Sequence, residues 1–222
     1  MTDKESFIRF LVECNALKFG EFQLKSGRIA PYFINTGMFD TGGKITQMGV
    51  HYAKAVHQYF NTGFDGIYGP AYKGIPLCVS TAMALSGMGH DTGYVFNRKE
   101  AKTYADKSST VGMALTTDTR LILVDDVITS GKAIRESLEI LKTSGNPRVK
   151  GIVISVDRQE KGTTHQNALA EVADTLNIPI YAIVTLADIT AFLHKKEING
   201  RVILDDAMMT KIDAYLAQYG SS

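Results

Sequence analysis

One segment of the sequence places two neighbouring carboxylates between an apolar run and a turn of small residues. Residues 121–124 are apolar, Asp125 and Asp126 follow them, and the turn 129–133 comes shortly afterwards. The backbone N–H groups and hydroxyls of such a turn can bind one phosphate together with the N-terminus of the following helix. An ionised carboxylate can accept hydrogen bonds from neighbouring sugar hydroxyls. The segment therefore predicts a site for a sugar phosphate rather than for a free base.

The spacing excludes two other phosphate-binding motifs. A P-loop ending at Ser130-Gly131-Lys132 would need a glycine at position 126 and Ser or Thr at position 133, where the chain has Asp126 and Ala133. A dinucleotide-binding fingerprint fails because no GxGxxG follows a predicted strand. A third interpretation stays open at this point: Asp125 and Asp126 could simply cap the next helix, with no ligand role.

Around this segment, short apolar strands alternate with helices. The apolar runs do not alternate with polar residues, which is typical of strands covered on both faces. We therefore predict an α/β fold, with a mostly parallel twisted sheet flanked by helices. Residues 22–36 are irregular and fit either a short hairpin or an extended arm. The predicted strands are 66–69, 93–97, 121–125, 152–156 and 180–184, and the predicted helices begin near residues 2, 42, 75, 132, 167 and 208.

Three of these strands end in polar or glycine-rich residues. The ends are 69–74, 98–99 and 125–126. Because ligands of open α/β sheets bind outside the carboxyl ends of the strands, we expect chemistry at these three places.

Length and composition limit the class of protein. With 222 residues, 45% of them hydrophobic and 21% charged, the chain fits one globular domain over residues 1–222. Its net charge of +1 argues against binding nucleic acid over the whole surface. No apolar run approaches the ~18 residues of a membrane span, and the N-terminus lacks the apolar region of a signal peptide. Cys14 and Cys78 lie far apart and predict buried thiols in a reducing, cytoplasmic setting.

Residues 124–131 resemble the phosphoribosyl pyrophosphate (PRPP) binding motif of the type I phosphoribosyltransferases. Four further segments (24–33, 69–76, 94–102 and 156–160) are similar to the orotate phosphoribosyltransferase family within that group. The resemblance spans roughly residues 5–205. It implies a fold with a small hood formed by about residues 1–40. It also implies the transfer of a phosphoribosyl group from PRPP to orotate, with Mg²⁺ accompanying PRPP and a homodimer as the working unit.

The resemblance also assigns residues to PRPP. Lys73, Arg98, Lys99 and Lys102 are expected to stabilise the charge on the departing pyrophosphate, as catalytic residues. Residues 97–112 carry several cations and few apolar side chains, so we expect a mobile lid. The resemblance implies that this lid reaches into the site of the neighbouring subunit. The full set expected to contact PRPP is Tyr72, Lys73, Arg98, Lys99, Lys102, Tyr104, Asp125, Asp126, Val127, Ile128, Thr129, Ser130, Gly131, Lys132 and Ala133, with no metal ligand among them.

The predicted lid departs from the pattern of bacterial family members at two positions. Tyr104 stands where those members carry histidine, and Asp106 stands where glutamate is common. A tyrosine donates a hydrogen bond but hardly titrates near neutral pH. Either the histidine is dispensable, or this lid works at a reduced rate.

For orotate, the resemblance points to cations and backbone groups around an aromatic face. The guanidinium of Arg158 offers the planar fork that a carboxylate favours, and Phe33 could stack on the ring. The expected orotate contacts are Lys25, Phe33, Ile34, Thr129 and Arg158. Two alternatives stay open: a phosphoribosyltransferase for another base, and a PRPP-sensing regulator of the same fold. The first has no need of Lys25 and Arg158 together, and the second would tolerate loss of the lid.

Overall fold

The computed structural model describes residues 1–24, 27–98, 109–128, 131–164 and 166–221. The α-helices are α1 Asp3–Glu13, α2 Gly42–Phe60, α3 Gly74–Gly87, α4 Lys132–Thr143, α5 Ala168–Leu176, α6 Leu186–Leu193 and α7 Asp206–Tyr219. The strands are β1 Leu17–Gln23, β2 Ile29–Ile34, β3 Gly66–Gly69, β4 Gly93–Asn97, β5 Thr110–Gly112, β6 Arg120–Asp125, β7 Arg148–Asp157, β8 Ile180–Thr185, β9 Glu197–Ile198 and β10 Arg201–Val202.

The central sheet has the strand order β5-β4-β3-β6-β7-β8. Strands β4, β3, β6, β7 and β8 run parallel, and β5 joins the edge of β4 in the antiparallel direction. The prediction of a mostly parallel sheet flanked by helices is therefore confirmed.

Both faces of the sheet are buried, as the non-alternating apolar runs indicate. On β6, Leu121 and Leu123 belong to a core shared with α4 and α5. The intervening Ile122 and Val124 belong to the larger core on the opposite face. Successive side chains of a strand point to opposite faces, so two cores require apolar residues at every position.

The N-terminal segment forms a hairpin rather than an extended arm. Strands β1 and β2 pair antiparallel, with Leu17 opposite Ile34, and an irregularity interrupts the register between Phe19 and Phe22. Ring contacts join the hairpin to the last helix, since Tyr32 meets Tyr215 edge-on at 6.0 Å between ring centroids. Lys25 lies outside the described residues.

The expected loop 97–112 is flanked by strand at both ends. Asn97 is the last residue of β4, and Thr110–Gly112 form β5. Residues 99–108 lie outside the described part of the chain, so the lid stays a prediction.

Two further expectations concern the thiols and membrane insertion. Cys14 and Cys78 are both buried and free, and burial raises the pKa of the Cys78 thiol to about 12. Within the described ranges, no helix combines the length and the apolar character needed to cross a bilayer.

Candidate active site

Polar side chains gather where four neighbouring parallel strands end. Lys73 lies four residues beyond the end of β3, and Arg98, Asp126 and Arg158 directly follow β4, β6 and β7. Because parallel strands present their carboxyl ends at one edge, these residues share one side of the sheet. All three polar strand ends of the sequence therefore lie along this edge.

The two aspartates at the end of β6 are fixed through their backbone. The hydroxyl of Tyr52, from α2, donates to the carbonyl oxygen of Asp125 at 2.7 Å. The hydroxyl of Ser155, in the neighbouring strand β7, donates to the carbonyl oxygen of Asp126. Two elements thus hold the dipeptide in place from the buried side.

The carboxylate of Asp126 accepts three hydrogen bonds within the described part of the chain. Its Oδ2 accepts from Lys73 Nζ at 3.0 Å and from Thr36 Oγ1 at 2.9 Å. Its Oδ1 accepts from the backbone N–H of Val127 at 2.8 Å. Lys73 and Asp126 therefore form an ion pair that joins the end of β3 to the end of β6.

Asp125 has a different environment from its neighbour. It is 9% exposed, and its Oδ1 accepts from the backbone N–H of Asp126 at 2.9 Å. Burial, together with the negative charge of Asp126, raises the pKa of Asp125 to about 7. Asp125 therefore holds a proton near neutral pH more readily than an ordinary aspartate does.

The turn after the aspartates leads into α4 through a left-handed glycine. Gly131 has φ +67° and caps the helix, and a Cβ there would lie 2.9 Å from the methyl groups of Val172. A pocket of about 270 Å³ lies against this turn, lined in part by Asp125, Val127, Ile128 and Ala133. The geometry suits an anion, because the first N–H groups of a helix lack intrahelical partners.

Not every predicted residue of this turn faces inward. The side chain of Lys132 is 79% exposed and lies 3.8 Å from Glu136 on the same helix. Thr129 and Ser130 lie outside the described residues.

The turn after β3 is closely packed. A Cβ at Gly69 would lie 2.0 Å from the carbonyl oxygen of Gly74, so the two chain segments approach too closely for a side chain. The Ala71–Tyr72 peptide bond is cis. The side-chain oxygen of Asn97, at the end of β4, accepts from the N–H of Ala71 at 2.7 Å. This contact connects the turn that carries Tyr72 and Lys73 to the neighbouring strand.

Of the predicted lid cations, Arg98 is described. Its backbone N–H donates to the carbonyl oxygen of Ser109 at 2.8 Å, continuing the pairing of β4 with β5. Its Nε is buried and has no hydrogen-bond partner among the described residues. Lys99, Lys102 and Tyr104 lie outside the described part of the chain.

Arg158 is held in a cluster built around Glu160. Its Nη2 lies 2.6 Å from Oε1 of Glu160, and the two side chains are 18% and 15% exposed. The N–H groups of Nη2 have no aligned hydrogen-bond acceptor among the described residues. The hydroxyls of Tyr32 and Tyr215 donate to the same Oε1 at 2.8 and 3.0 Å, and burial raises the pKa of Tyr215 to about 12. The N-terminal hairpin and α7 thus meet at this arginine.

The remaining predicted orotate contacts lie on the hairpin. Phe33 is 39% exposed and stacks on Phe22 with 5.5 Å between ring centroids. Ile34 is half-buried and packs against the main core.

Several residues that contact this site were not predicted to serve it, among them Tyr52, Tyr32 and Tyr215. Thr36 and Ser155 bond Asp126, Asn97 bonds the turn before Lys73, and Glu160 pairs with Arg158. For Thr36, Ser155, Asn97 and Glu160, a polar side chain on or next to a buried strand is the one signal that the sequence offered.

Across the described residues, no group of three or more His, Cys, Asp and Glu side chains is placed to hold a metal ion.

The chain matches known proteins over almost its whole length. The phosphoribosyl transferase domain model matches residues 36–185. An orotate phosphoribosyltransferase of Clostridium acetobutylicum is 45% identical over 98% of this chain and 97% of its own. One of Lachnoclostridium phytofermentans is 43% identical over the same shares.

A solved structure gives the same result. The crystal structure of orotate phosphoribosyltransferase from Francisella tularensis superposes with a TM-score of 0.82 at 36% identity. The match covers 97% of this chain and all of that one. By sequence and by fold, the chain belongs to the orotate phosphoribosyltransferase family of type I phosphoribosyltransferases.

Proposed function

We propose that this chain transfers the phosphoribosyl group from PRPP to orotate, giving orotidine 5′-monophosphate and pyrophosphate in pyrimidine biosynthesis. The observation that carries the proposal is the convergence at one sheet edge of an anion-binding turn, a carboxylate pair, Lys73 and Arg158. An anionic base and a sugar carrying phosphate at both ends need these groups together.

On the PRPP side, the turn at Gly131 would hold the 5′-phosphate. Its N–H groups and the helix N-terminus favour a doubly charged oxyanion. Asp125 and Asp126 would accept hydrogen bonds from the ribose hydroxyls. Because several donors already fix Asp126, the sugar would meet an acceptor whose orientation is set in advance.

On the orotate side, Arg158 would bind the carboxylate. Its guanidinium keeps N–H groups that have no aligned acceptor in the described part of the chain. The backbone of Phe33 and Ile34 would pair with the edge of the base, and Lys25 and Thr129 would complete the set. Uracil lacks the carboxylate, so Arg158 would favour orotate.

Orotate is already an anion near neutral pH, so catalysis would need no strong general base. The enzyme would work by positioning the two reactants and by stabilising the charge that builds on pyrophosphate. Lys73 would have to leave Asp126 to meet that charge. Arg98, Lys99 and Lys102 would contribute from the lid, with Tyr104 as a further contact.

Mg²⁺ would arrive bound to PRPP. In sites that transfer phosphorylated groups, Mg²⁺ is held largely by substrate phosphates and keeps several waters, so we assign it no protein ligand and leave Asp125 and Asp126 to the ribose hydroxyls. When bound, the ion would neutralise part of the pyrophosphate charge.

We further propose a cytoplasmic homodimer in which each lid closes over the partner's site. The buried free thiols of Cys14 and Cys78 are compatible with a reducing compartment. Mixing two inactive variants, one altered in the lid and one in the carboxylate pair, would restore part of the activity if the lid is shared.

The direct test mixes the protein with PRPP, Mg²⁺ and orotate and follows the near-ultraviolet absorbance of orotate. Uracil, adenine, guanine and hypoxanthine are assayed in parallel by product chromatography. PRPP-dependent loss of orotate alone is expected. Turnover of another base would overturn the roles of Lys25 and Arg158, and PRPP binding without turnover would favour a regulator.

The same assay tests the lid. Lys102→Ala should lower kcat strongly and leave the binding of orotate nearly unchanged, because the charge on pyrophosphate develops in the transition state. Equal loss in both quantities would contradict the role given to Lys102.

A further inference from the structure

Two side chains bond the carboxylate of Asp126 in the described part of the chain, those of Lys73 and Thr36. Of these two residues, Thr36 lies outside the polar strand ends. It is 9% exposed, and its hydroxyl donates to Oδ2 at 2.9 Å. It begins a short 3₁₀ helix, Thr36–Met38, that follows β2 and is capped by the side chain of Asn35. The donor is therefore held by local backbone structure as well as by burial.

Lys73 donates to the same carboxylate oxygen, but it differs from Thr36 in one respect. The Lys73 side chain is 60% exposed, on a turn outside the sheet edge. A flexible, solvated ammonium can change partners at little cost, whereas a buried hydroxyl with a short side chain cannot. A polyanion at this edge would compete for Lys73 and would leave Thr36 in place.

We propose that Thr36 is a positioning residue that keeps Asp126 oriented toward the ribose when Lys73 moves to pyrophosphate. The inference rests on the proposed function, because it takes Asp126 as the acceptor for a ribose hydroxyl. With Lys73 gone, Thr36 Oγ1 and the N–H of Val127 each hold one carboxylate oxygen. The remaining lone pairs of the carboxylate then face the sugar in a single orientation.

The position of Thr36 in the chain adds a second consequence. It lies two residues beyond Ile34 at the end of β2, and the hairpin carries the residues proposed to meet orotate. The hydroxyl of Thr36 thus connects the hairpin to the carboxylate pair after β6. This contact would help to hold a base seated against the hairpin in register with a sugar seated on Asp126.

The test compares Thr36→Val, which removes the hydroxyl and keeps the shape, with Thr36→Ser, which keeps the hydroxyl. We expect Thr36→Val to raise the KM for PRPP about tenfold, since hydrogen bonds to charged groups are among the stronger ones. The KM for orotate should stay within about twofold, and Thr36→Ser should recover most of the PRPP affinity. Thr36→Ala is a second variant without the hydroxyl, and it should likewise raise the KM for PRPP while leaving the KM for orotate nearly unchanged.

Two results would overturn the proposal. One is a KM for PRPP that is unchanged in Thr36→Val and Thr36→Ala. The other is equal impairment of Thr36→Ser and Thr36→Val, which would assign the effect to packing of the methyl group.

Calorimetric titration of wild type and variants with PRPP and Mg²⁺ separates this inference from the proposed function. Wild type that binds PRPP but turns over no orotate would contradict the proposed function alone. Equal PRPP affinity of wild type and Thr36→Val would contradict the role of Thr36 alone.

Discussion

Replacing Glu160 by glutamine tests whether the cluster around Arg158 is held by charge. Glutamine keeps the size of the side chain and one carbonyl oxygen. It removes the negative charge that lies 2.6 Å from Nη2 of Arg158. It also turns the hydrogen bonds from Tyr32 and Tyr215, at 2.8 and 3.0 Å, into bonds between neutral groups.

The expected cost follows from these contacts. Hydrogen bonds to a charged acceptor exceed neutral ones by about 1 kcal/mol, so the two tyrosines lose about 2 kcal/mol together. Removing one partner of a fully buried ion pair costs about 3–5 kcal/mol. Since Arg158 and Glu160 retain some solvent contact, we take less than half of that, about 1–2 kcal/mol. Arg28, at 3.8 Å and 38% exposed, adds little. The sum is about 3–4 kcal/mol.

Urea unfolding followed by circular dichroism measures this loss. With a slope of about 2–3 kcal/mol per molar, the midpoint of Glu160→Gln should fall by about 1–2 M. Glu139→Gln is the matched control, because Glu139 pairs with Lys142 on the exposed face of α4 and should change stability by less than about 0.5 kcal/mol. Equal midpoints for the two variants would refute the reasoning.

Three further predictions concern other parts of the site. The pKa of Asp125 rises from 3.8 in the unfolded chain to about 7 in the folded one. The unfolded state therefore loses this proton at lower pH, and the free energy of unfolding falls as pH rises between the two values. Urea midpoints measured from pH 4 to 7 should fall less steeply in Asp125→Asn than in the wild type. Gly69→Ala should lower the melting temperature strongly, because its Cβ would lie 2.0 Å from the carbonyl oxygen of Gly74. Gly43→Ala is the control: its Cβ would have open space around it, so the melting temperature should stay unchanged or rise slightly. Similar melting temperatures for the two variants would contradict the packing argument. Arg158→Lys should raise the KM for orotate at least tenfold with little change in the KM for PRPP, because lysine lacks the planar fork of the guanidinium. Steady-state kinetics with each substrate varied in turn measures both constants. An equal rise in both would contradict the role given to Arg158.

Most of the sheet could be predicted because the middle of its strands carries apolar residues that face both cores. Helix α6 could not, since Thr185 is both the last residue of β8 and the cap of α6. The helix therefore begins directly after the strand, with no turn between the two elements to separate them in the sequence. Strand β5 has three residues, too few to show a period. The hairpin of β1 and β2 was one of two interpretations, because an irregular register hides its alternation.

The candidate site was predictable where chain order decides proximity. Parallel strands bring Asp126 and Arg158 to the same edge wherever their exact contacts lie. The partners of these residues come from distant segments: Thr36 lies 90 positions from Asp126, and Tyr215 lies 55 positions from Glu160. Such pairings depend on how the hairpin and α7 pack against the sheet, and local sequence patterns do not predict that packing.

The contacts between α7 and the loop after β7 affect the order in which parts of the site can form during translation. The N–H of Ser221 donates to the carbonyl oxygen of Gln159, and Tyr215 reaches Glu160 across 55 residues of sequence. At about 5–20 residues per second, the ribosome needs about 3–11 s to add those residues. The carboxylate pair and the turn at Gly131 are therefore synthesised well before α7 can contact Glu160 beside Arg158. A nascent chain therefore has the components of the proposed phosphate site seconds before it can build the surroundings of Arg158, which we propose binds the base.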